Sequence, residues 1–212
     1  MTKLHIETFP VGRLQCNCSI IACPDTKEAI IVDPGGDAPQ IKAKVKAAGL
    51  TVKYLIHTHA HFDHIGATAE LRRDLGARIL LHPEDNFLYD NIQMQGQLFG
   101  MRLAPTLPVD EKLSDEMSVN FGKHQSVVLH TPGHTPGSVC FHLKDQESHL
   151  FSGDTLFKGS VGRTDLWGGS AETLMKSIKN RLLPLDDSTT IYPGHGPVST
   201  LWHEKKRNPF LQ

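Results

Sequence analysis

An α+β fold of four layers, with two β-sheets packed together and helices outside each, is what the sequence predicts. Two observations point there. Short apolar runs recur in two series along the 212 residues, and each series is interleaved or closed with segments of helical periodicity. Directly behind several of those runs stand glycine-rich turns carrying histidine or aspartate, so the strand ends are expected to converge along one edge.

Residues 4–9 alternate polar and apolar side chains as a half-buried strand does, whereas residues 19–23 and 29–33 are short apolar runs suited to burial on both faces. Pro24 and Asp25 mark the turn between those two runs. Asp33-Pro34-Gly35-Gly36-Asp37 breaks the third strand, and residues 38–48 place apolar side chains at helical spacing, with Gly49 as a natural stop. Residues 54–56 are another buried strand, which delivers the chain into a histidine cluster. Beyond it, residues 67–75 are helical up to Gly76, residues 78–81 form a strand, and residues 83–90 open a helix with proline in its first turn. Residues 91–108, rich in glycine, glutamine and proline, read as a long loop of the sort that serves as a lid or substrate contact. In the second series, residues 117–121, 126–130, 139–143 and 149–152 are strands. An amphipathic helix over 171–182, a strand over 189–192 and a helix over 200–207 follow.

This length suffices for a sizeable core and is expected to form one domain over residues 1–212. With 22 basic and 23 acidic residues, the net charge of −1 gives no field that would draw the molecule to phosphate backbones or anionic lipid, so neither nucleic acid nor membrane is expected as a partner. The first ten residues lack the features of a secretory signal and no segment has the apolar length of a spanning helix, so a soluble, cytoplasmic protein is expected. Cys16, Cys18, Cys23 and Cys140 do not form the paired spacing of a structural zinc site and read as buried free thiols.

Thirteen histidines are present, and their placement matters more than their number. His57-Thr58-His59-Ala60-His61-Phe62-Asp63-His64 follows a buried strand and offers His59, His61, Asp63 and His64 within six residues. That spacing differs from the helical H-E-x-x-H arrangement, and a cloning tag would stand at a terminus. Three further turns, Thr131-Pro132-Gly133-His134-Thr135-Pro136-Gly137, Ser152-Gly153-Asp154-Thr155 and Tyr192-Pro193-Gly194-His195-Gly196, each set one metal-binding side chain beside glycine after a strand. Imidazole and carboxylate without thiolate suit zinc, with iron or manganese also compatible. His5, His82, His124, His130, His142, His149 and His203 lack this setting and read as solvated or satisfied core residues.

In order and spacing these motifs resemble the metallo-β-lactamase superfamily, and within it the glyoxalase II-like branch, from Ile31-Val32-Asp33-Pro34-Gly35-Gly36 to Asn208-Pro209-Phe210-Leu211. The resemblance implies an αββα sandwich in which His59, His61 and His134 bind a first metal ion and Asp63, His64 and His195 a second. Asp154 would bridge the two, and Asp63 and Asp154 would be the catalytic carboxylates. It further implies hydrolysis of a small-molecule thioester, S-lactoylglutathione or a related acyl-thioester, by hydroxide held between the ions. His57 is not used by the family pattern and reads as structural, while Asp33 reads as the carboxylate that orients a ligand histidine. Asp154 stands where lactam-cleaving members typically have no aspartate, which argues against that activity. The chain also resembles a short form of glyoxalase II, without the C-terminal helical domain that helps to hold glutathione.

Arg163 occupies the place of a glyoxalase II lysine and Asp165 that of a tyrosine. Arg163 therefore reads either as a fork for a substrate carboxylate or as half of an Arg163-Asp165 pair that holds its loop. Gly162-Arg163-Thr164-Asp165 also resembles the persulfide dioxygenase branch, which implies one iron acting with oxygen on glutathione persulfide. A metal-binding module without catalysis is the remaining alternative.

Overall fold

The structure, a computed structural model, describes residues 3–212. The chain opens with β1 (His5–Val11), β2 (Cys16–Ala22) and β3 (Glu28–Val32), and crosses through α1 (Ala38–Ala47) to β4 (Thr51–Ile56). It then passes α2 (Phe62–Ile65) and α3 (Thr68–Leu75) to β5 (Arg78–Leu81). A 3₁₀ turn at Pro83–Asp85 leads into α4 (Asn86–Asp90) and α5 (Ile92–Leu98) before the short β6 (Glu111–Lys112). The second half contains β7 (Ser118–Phe121), β8 (His124–His130), β9 (Val139–Lys144), β10 (Ser148–Gly153), and a ribbon of β11 (Leu156–Phe157) and β12 (Ser160–Val161). It closes with α6 (Ala171–Ser177), β13 (Thr190–Pro193), β14 (Ser199–Thr200) and α7 (Leu201–Arg207).

Among the described residues the long strands fall into two six-stranded sheets, ordered β1-β2-β3-β4-β5-β6 and β14-β13-β10-β9-β8-β7. The first is antiparallel as far as β3 and parallel from β3 to β6; the second is antiparallel except where β10 meets β13. Side chains on a strand alternate between faces. Ile21, Ile30, Val32, Ile56 and Leu80 of the first sheet therefore pack against Val119, Phe121, Val128, Phe141 and Phe151 of the second. Their strand neighbours Ile20, Ile31, Leu55, Ile79 and Leu81 point away, towards Ile41 and Val45 of α1 and Leu71 of α3. On the far side, Leu129, Cys140, Leu150 and Ile191 meet Leu174 of α6 and Leu201 of α7. Burial on both faces explains why the strands read as continuous apolar runs, and the helix-sheet-sheet-helix order is the architecture expected from them.

The loops that follow β3, β4, β8, β10 and β13 carry the motif residues. Both β8 and β10 run antiparallel to β9, β13 runs with β10, and β4 runs with β3, so within each sheet these strands finish in one direction. Two hydrogen bonds tie the finishing edges of the sheets together: the Val139 amide donates to the Thr58 carbonyl at 2.8 Å, and the Asn17 amide to the Gly194 carbonyl at 2.7 Å.

The structure departs from expectation in three places. The helix expected over 83–90 begins with the 3₁₀ turn, and that over 171–182 loosens into a π-helical turn at Ile178–Leu182. Residues 91–108, expected to be a loop, contain α5. Glycine and glutamine give α5 little intrinsic helicity, and what holds it is tertiary. Gln95 is buried, accepts from the Phe62 amide, and donates to the Ala60 and Leu88 carbonyls. No helix among the described residues is long and apolar enough to cross a membrane.

The inner core sets a stability test. Phe141→Ala removes a side chain with no exposed surface from between the sheets and is expected to cost about 3–5 kcal/mol in urea unfolding, against about 0.5 kcal/mol or less for Leu98→Ala at a side chain 65% exposed. Equal effects would mean that the two sheets do not pack as described.

Candidate metal centre

Construction of the site begins with Asp33, which is buried where β3 ends and has a left-handed φ of 50°. Its carboxylate accepts from the Thr58 amide at 2.8 Å, the Thr58 hydroxyl at 2.6 Å and His64 Nδ1 at 3.0 Å. Because the Thr58 hydroxyl donates to Asp33, its oxygen is left to accept from His59 Nδ1, 3.1 Å away. One carboxylate thus fixes His64 directly and His59 through Thr58, leaving both Nε2 atoms with lone pairs turned inward. On the opposite side His134 Nδ1 donates to the Arg163 carbonyl at 2.7 Å, which turns its Nε2 inward too.

His59 Nε2, His61 Nδ1 and His134 Nε2 meet at 2.9–3.2 Å from one another. Burial, reinforced by neighbouring imidazoles, lowers the basicity of His59 well below the usual value and that of His61 to about 3, so both rings are neutral at ordinary pH. The lone pairs of His59 and His134 then face each other at 3.2 Å and repel unless a cation lies between them. His64 Nε2 and Asp154 Oδ1 are likewise buried without a hydrogen-bond partner, although only 3.4 Å separates them. Orphaned acceptors of this kind fit a bound metal ion.

Around the second cluster, His195 Nε2 lies 3.2 Å from Asp63 Oδ2, and His64 Nε2 lies 3.8 Å from the same oxygen. Burial alone would raise the Asp63 carboxyl, but the imidazoles of His64 and His195 hold it well below the usual carboxylate range. Carboxylates surround His64, with Asp33 3.0 Å from its Nδ1 and Asp154 and Asp63 3.4 and 3.8 Å from its Nε2. That negative potential also favours a dication. The Asp154 carboxylate stands between the clusters, with Oδ2 3.6 Å from His134 Nε2 and 3.9 Å from His195 Nε2. Gly194 makes this approach possible, since a Cβ there would fall 2.2 Å from Asp154 Oδ1 and 2.7 Å from His64 Cε1.

All seven residues singled out from the sequence as metal-binding candidates meet here. His57 is buried nearby but turns its Nε2 to the Thr68 hydroxyl at 3.3 Å. Cys16 reaches within 3.5 Å of His64 Nδ1, the nitrogen Asp33 already engages. Burial pushes its thiol up to about 12, so it stays protonated and poorly suited to a metal. All four cysteines are free and buried. His82, Glu84 and His130 also group together, but the two rings stack face to face at 4.2 Å and 18°, and His130 Nε2 is engaged by the Pro136 carbonyl.

Three supporting residues carried no signal in the sequence. Asp85 is buried and accepts from the Ala60 amide at 2.9 Å, the Thr135 hydroxyl at 2.8 Å and the Gly137 amide at 2.7 Å, clamping the His59–His61 loop to the His134 loop. Burial raises its carboxyl despite these donors. Asn17, on the opposite sheet, donates to the carbonyls of Pro193 and Gly196 on either side of His195. Gln95 secures Ala60 and Phe62. A cavity of about 340 Å³ opens onto His61, Asp63, His134, Asp154 and His195, with Arg163 at its wall. The guanidinium of Arg163 is engaged by both oxygens of Asp165, at 2.7 and 2.9 Å, in an exposed pair.

The family described as the metallo-beta-lactamase superfamily matches residues 11–195. The chain is 39% identical over 210 residues to hydroxyacylglutathione hydrolase GloC of Haemophilus influenzae, covering 98% of each, and 41% identical over 205 residues to the probable metallo-hydrolase YqgX of Bacillus subtilis, covering 96% of this chain and 95% of that one. Among solved structures it is similar to the B3 metallo-beta-lactamase BLEG-1, with a TM-score of 0.91, 39% identity, and coverage of 98% of this chain and 99% of that one. It is also similar to the di-iron-bound form of TTHA1623, with a TM-score of 0.85, 40% identity, and coverage of 95% and 98%. ETHE1 from Myxococcus xanthus is more distant, with a TM-score of 0.78, 26% identity, and coverage of 97% and 83%.

The clamp and the close approach make separate predictions. Asp85→Ala strands three buried donors at about 1 kcal/mol or more each, so a loss of about 3 kcal/mol in thermal or urea unfolding is expected, together with weaker metal retention. Gly194→Ala should instead keep most of the stability and lose metal after dialysis against a weak chelator, because it parts Asp154 from His64. Full metal content in both variants would remove these residues from the support of the site.

Proposed function

This chain belongs to the metallo-beta-lactamase superfamily and is a metal-dependent hydrolase; from that premise we propose that it hydrolyses acyl-thioesters at a centre of two metal ions. His59, His61 and His134 would hold one ion, Asp63, His64 and His195 the other, with Asp154 shared. The observation that carries this reading is the position of the Asp154 carboxylate, within 3.4 Å of His64 on one side and 3.6 Å of His134 on the other. Zinc suits the donor set, and the di-iron form of the TTHA1623 relative speaks for iron as an occupant of the same set. When bound, such ions supply an activated water near neutral pH and polarise the substrate carbonyl.

The chain's own contribution is positioning. Asp33 and the Arg163 carbonyl hold the imidazole tautomers. Asp63, kept ionised by His64 and His195, offers an acceptor beside the site of attack. Oxygen from water bonds to the thioester carbon, the carbon–sulfur bond breaks, and carboxylic acid and thiol leave. A glutathione-linked acyl group is suggested by the GloC relative. A β-lactam is the second reading, carried by likeness to BLEG-1. An oxygen-dependent centre of one iron accounts less well for the second cluster, and a module without catalysis accounts less well for the cavity opening onto it.

Metal analysis with turnover of S-lactoylglutathione, simple acyl-thioesters and a β-lactam on one preparation tests the proposal. Thioester turnover with two metals per chain is expected; β-lactam turnover alone, or one iron with oxygen consumption, would replace it. Asp154→Ala should lower both metal occupancy and turnover, the latter about a hundredfold or more. His57→Asn is expected to retain both metals, whereas His59→Asn loses one. If the two histidine variants behave alike, the register of the ligand motif is wrong.

A further inference from the structure

Polar groups on the cavity wall, other than those of the metal cluster, are few: the Gln95 amide, the Arg163 guanidinium and the indole N–H of Trp167. Gln95 has given its amide oxygen to the Phe62 amide and its nitrogen to the Ala60 and Leu88 carbonyls. Arg163 has Nε and one terminal nitrogen on Asp165, in a pair that lies at the exposed edge of the wall. The remaining wall includes Leu14, Phe99, Phe157, Val161, Leu166 and Trp167. Leu14 is 43% and Phe99 45% exposed, an apolar rim left open to solvent at the mouth. At about 340 Å³ the cavity lies at the small end of the roughly 300–1,000 Å³ of small-molecule sites.

Beyond reach of the metal cluster, a charged or peptide-like group deep in this cavity would lose its water and find few partners, a desolvation that is left largely uncompensated. A glutathione moiety carries carboxylates, an ammonium and two amides, so the apolar interior disfavours it and it is better placed towards solvent. That leaves the other arm of the thioester to fill the cavity. We propose that this arm is an apolar acyl chain of several carbons, so that the substrate class is an aliphatic acyl-thioester and not a lactoyl one; this rests on the thioesterase reading above.

The walls are held in place before substrate arrives. Asn208 Nδ2 donates to the Ser160 carbonyl at 3.0 Å, and the Gly159 amide donates to buried Glu204 at 2.8 Å, which fastens the β11–β12 ribbon bearing Phe157 and Val161 to α7 and the segment after it. Phe99 packs on Phe62 with ring centroids 4.8 Å apart. A preformed apolar slot gains affinity with each methylene it covers, about 0.8 kcal/mol or fourfold at full burial.

The experiment uses the full, metal-loaded chain with acetyl, butanoyl and hexanoyl thioesters of N-acetylcysteamine beside S-lactoylglutathione. kcat/KM is expected to rise about two- to fourfold per methylene, at least about sixteenfold over the four methylenes from acetyl to hexanoyl, and hexanoyl should exceed lactoylglutathione. Trp167→Ala should flatten the series; if that variant does not fold, Leu14→Ser at the mouth reads the same slope. A flat wild-type series with brisk lactoylglutathione turnover overturns the inference and leaves the thioesterase reading standing. A slope that neither wall variant changes places the chain elsewhere and overturns it as well. No turnover of any thioester by metal-loaded protein overturns both.

Discussion

Side chains from loops of two separate sheets converge on one small volume only if something fixes their orientation, and here that task falls on buried carboxylates. Asp33 accepts three hydrogen bonds, from the Thr58 amide, the Thr58 hydroxyl and His64, and through Thr58 it sets His59 as well. Asp85 does for the loops of His61 and His134 what Asp33 does for those of His59 and His64. A carboxylate is suited to this because its two oxygens accept from several directions at once and impose no donor of their own. The cost of burying it is offset only while every donor is in place, so the arrangement resists partial disassembly.

Close backbone packing is the second requirement. A Cβ at Gly35 would come within 1.5 Å of the Asp63 carbonyl, so the loop after β3 lies directly on the turn that presents Asp63 and His64. The sheets meet at the same edge through Thr58 and Val139, and through Asn17 and Gly194. Hydrogen bonds between sheets thus complete what the inner apolar core begins. The core sets the spacing of the sheets, and the edge contacts set the relative height of their loops.

Legibility from sequence followed the range of the interactions. The cluster from His57 to His64 could be read because its candidates are local, and His134, Asp154 and His195 because each stands beside glycine behind an apolar run. Strand positions were legible because burial on both faces writes itself as an uninterrupted run, in β3 and β5 for instance. Asp85 was not, because an acidic residue in a first helical turn is ordinary, and its partners lie 25, 50 and 52 residues away. Asn17 holds the His195 loop across separations of 176 and 179 residues. For α5 the obstacle was composition, since its order comes from contacts made by Gln95 and not from propensity.

The fastening of the β11–β12 ribbon has a consequence for divergence. Glu204 and Asn208 hold backbone groups of Gly159 and Ser160, so the wall formed by Phe157 and Val161 is continuous with the packing of α7. A lineage altering that wall would disturb the helix too, and selection for a new substrate would meet selection for folding at the same positions. Leu14 lies in the turn between β1 and β2, and Phe99 caps α5; both are partly exposed. Drift in substrate preference therefore has an easier path across the Leu14 and Phe99 side of the mouth than across the ribbon.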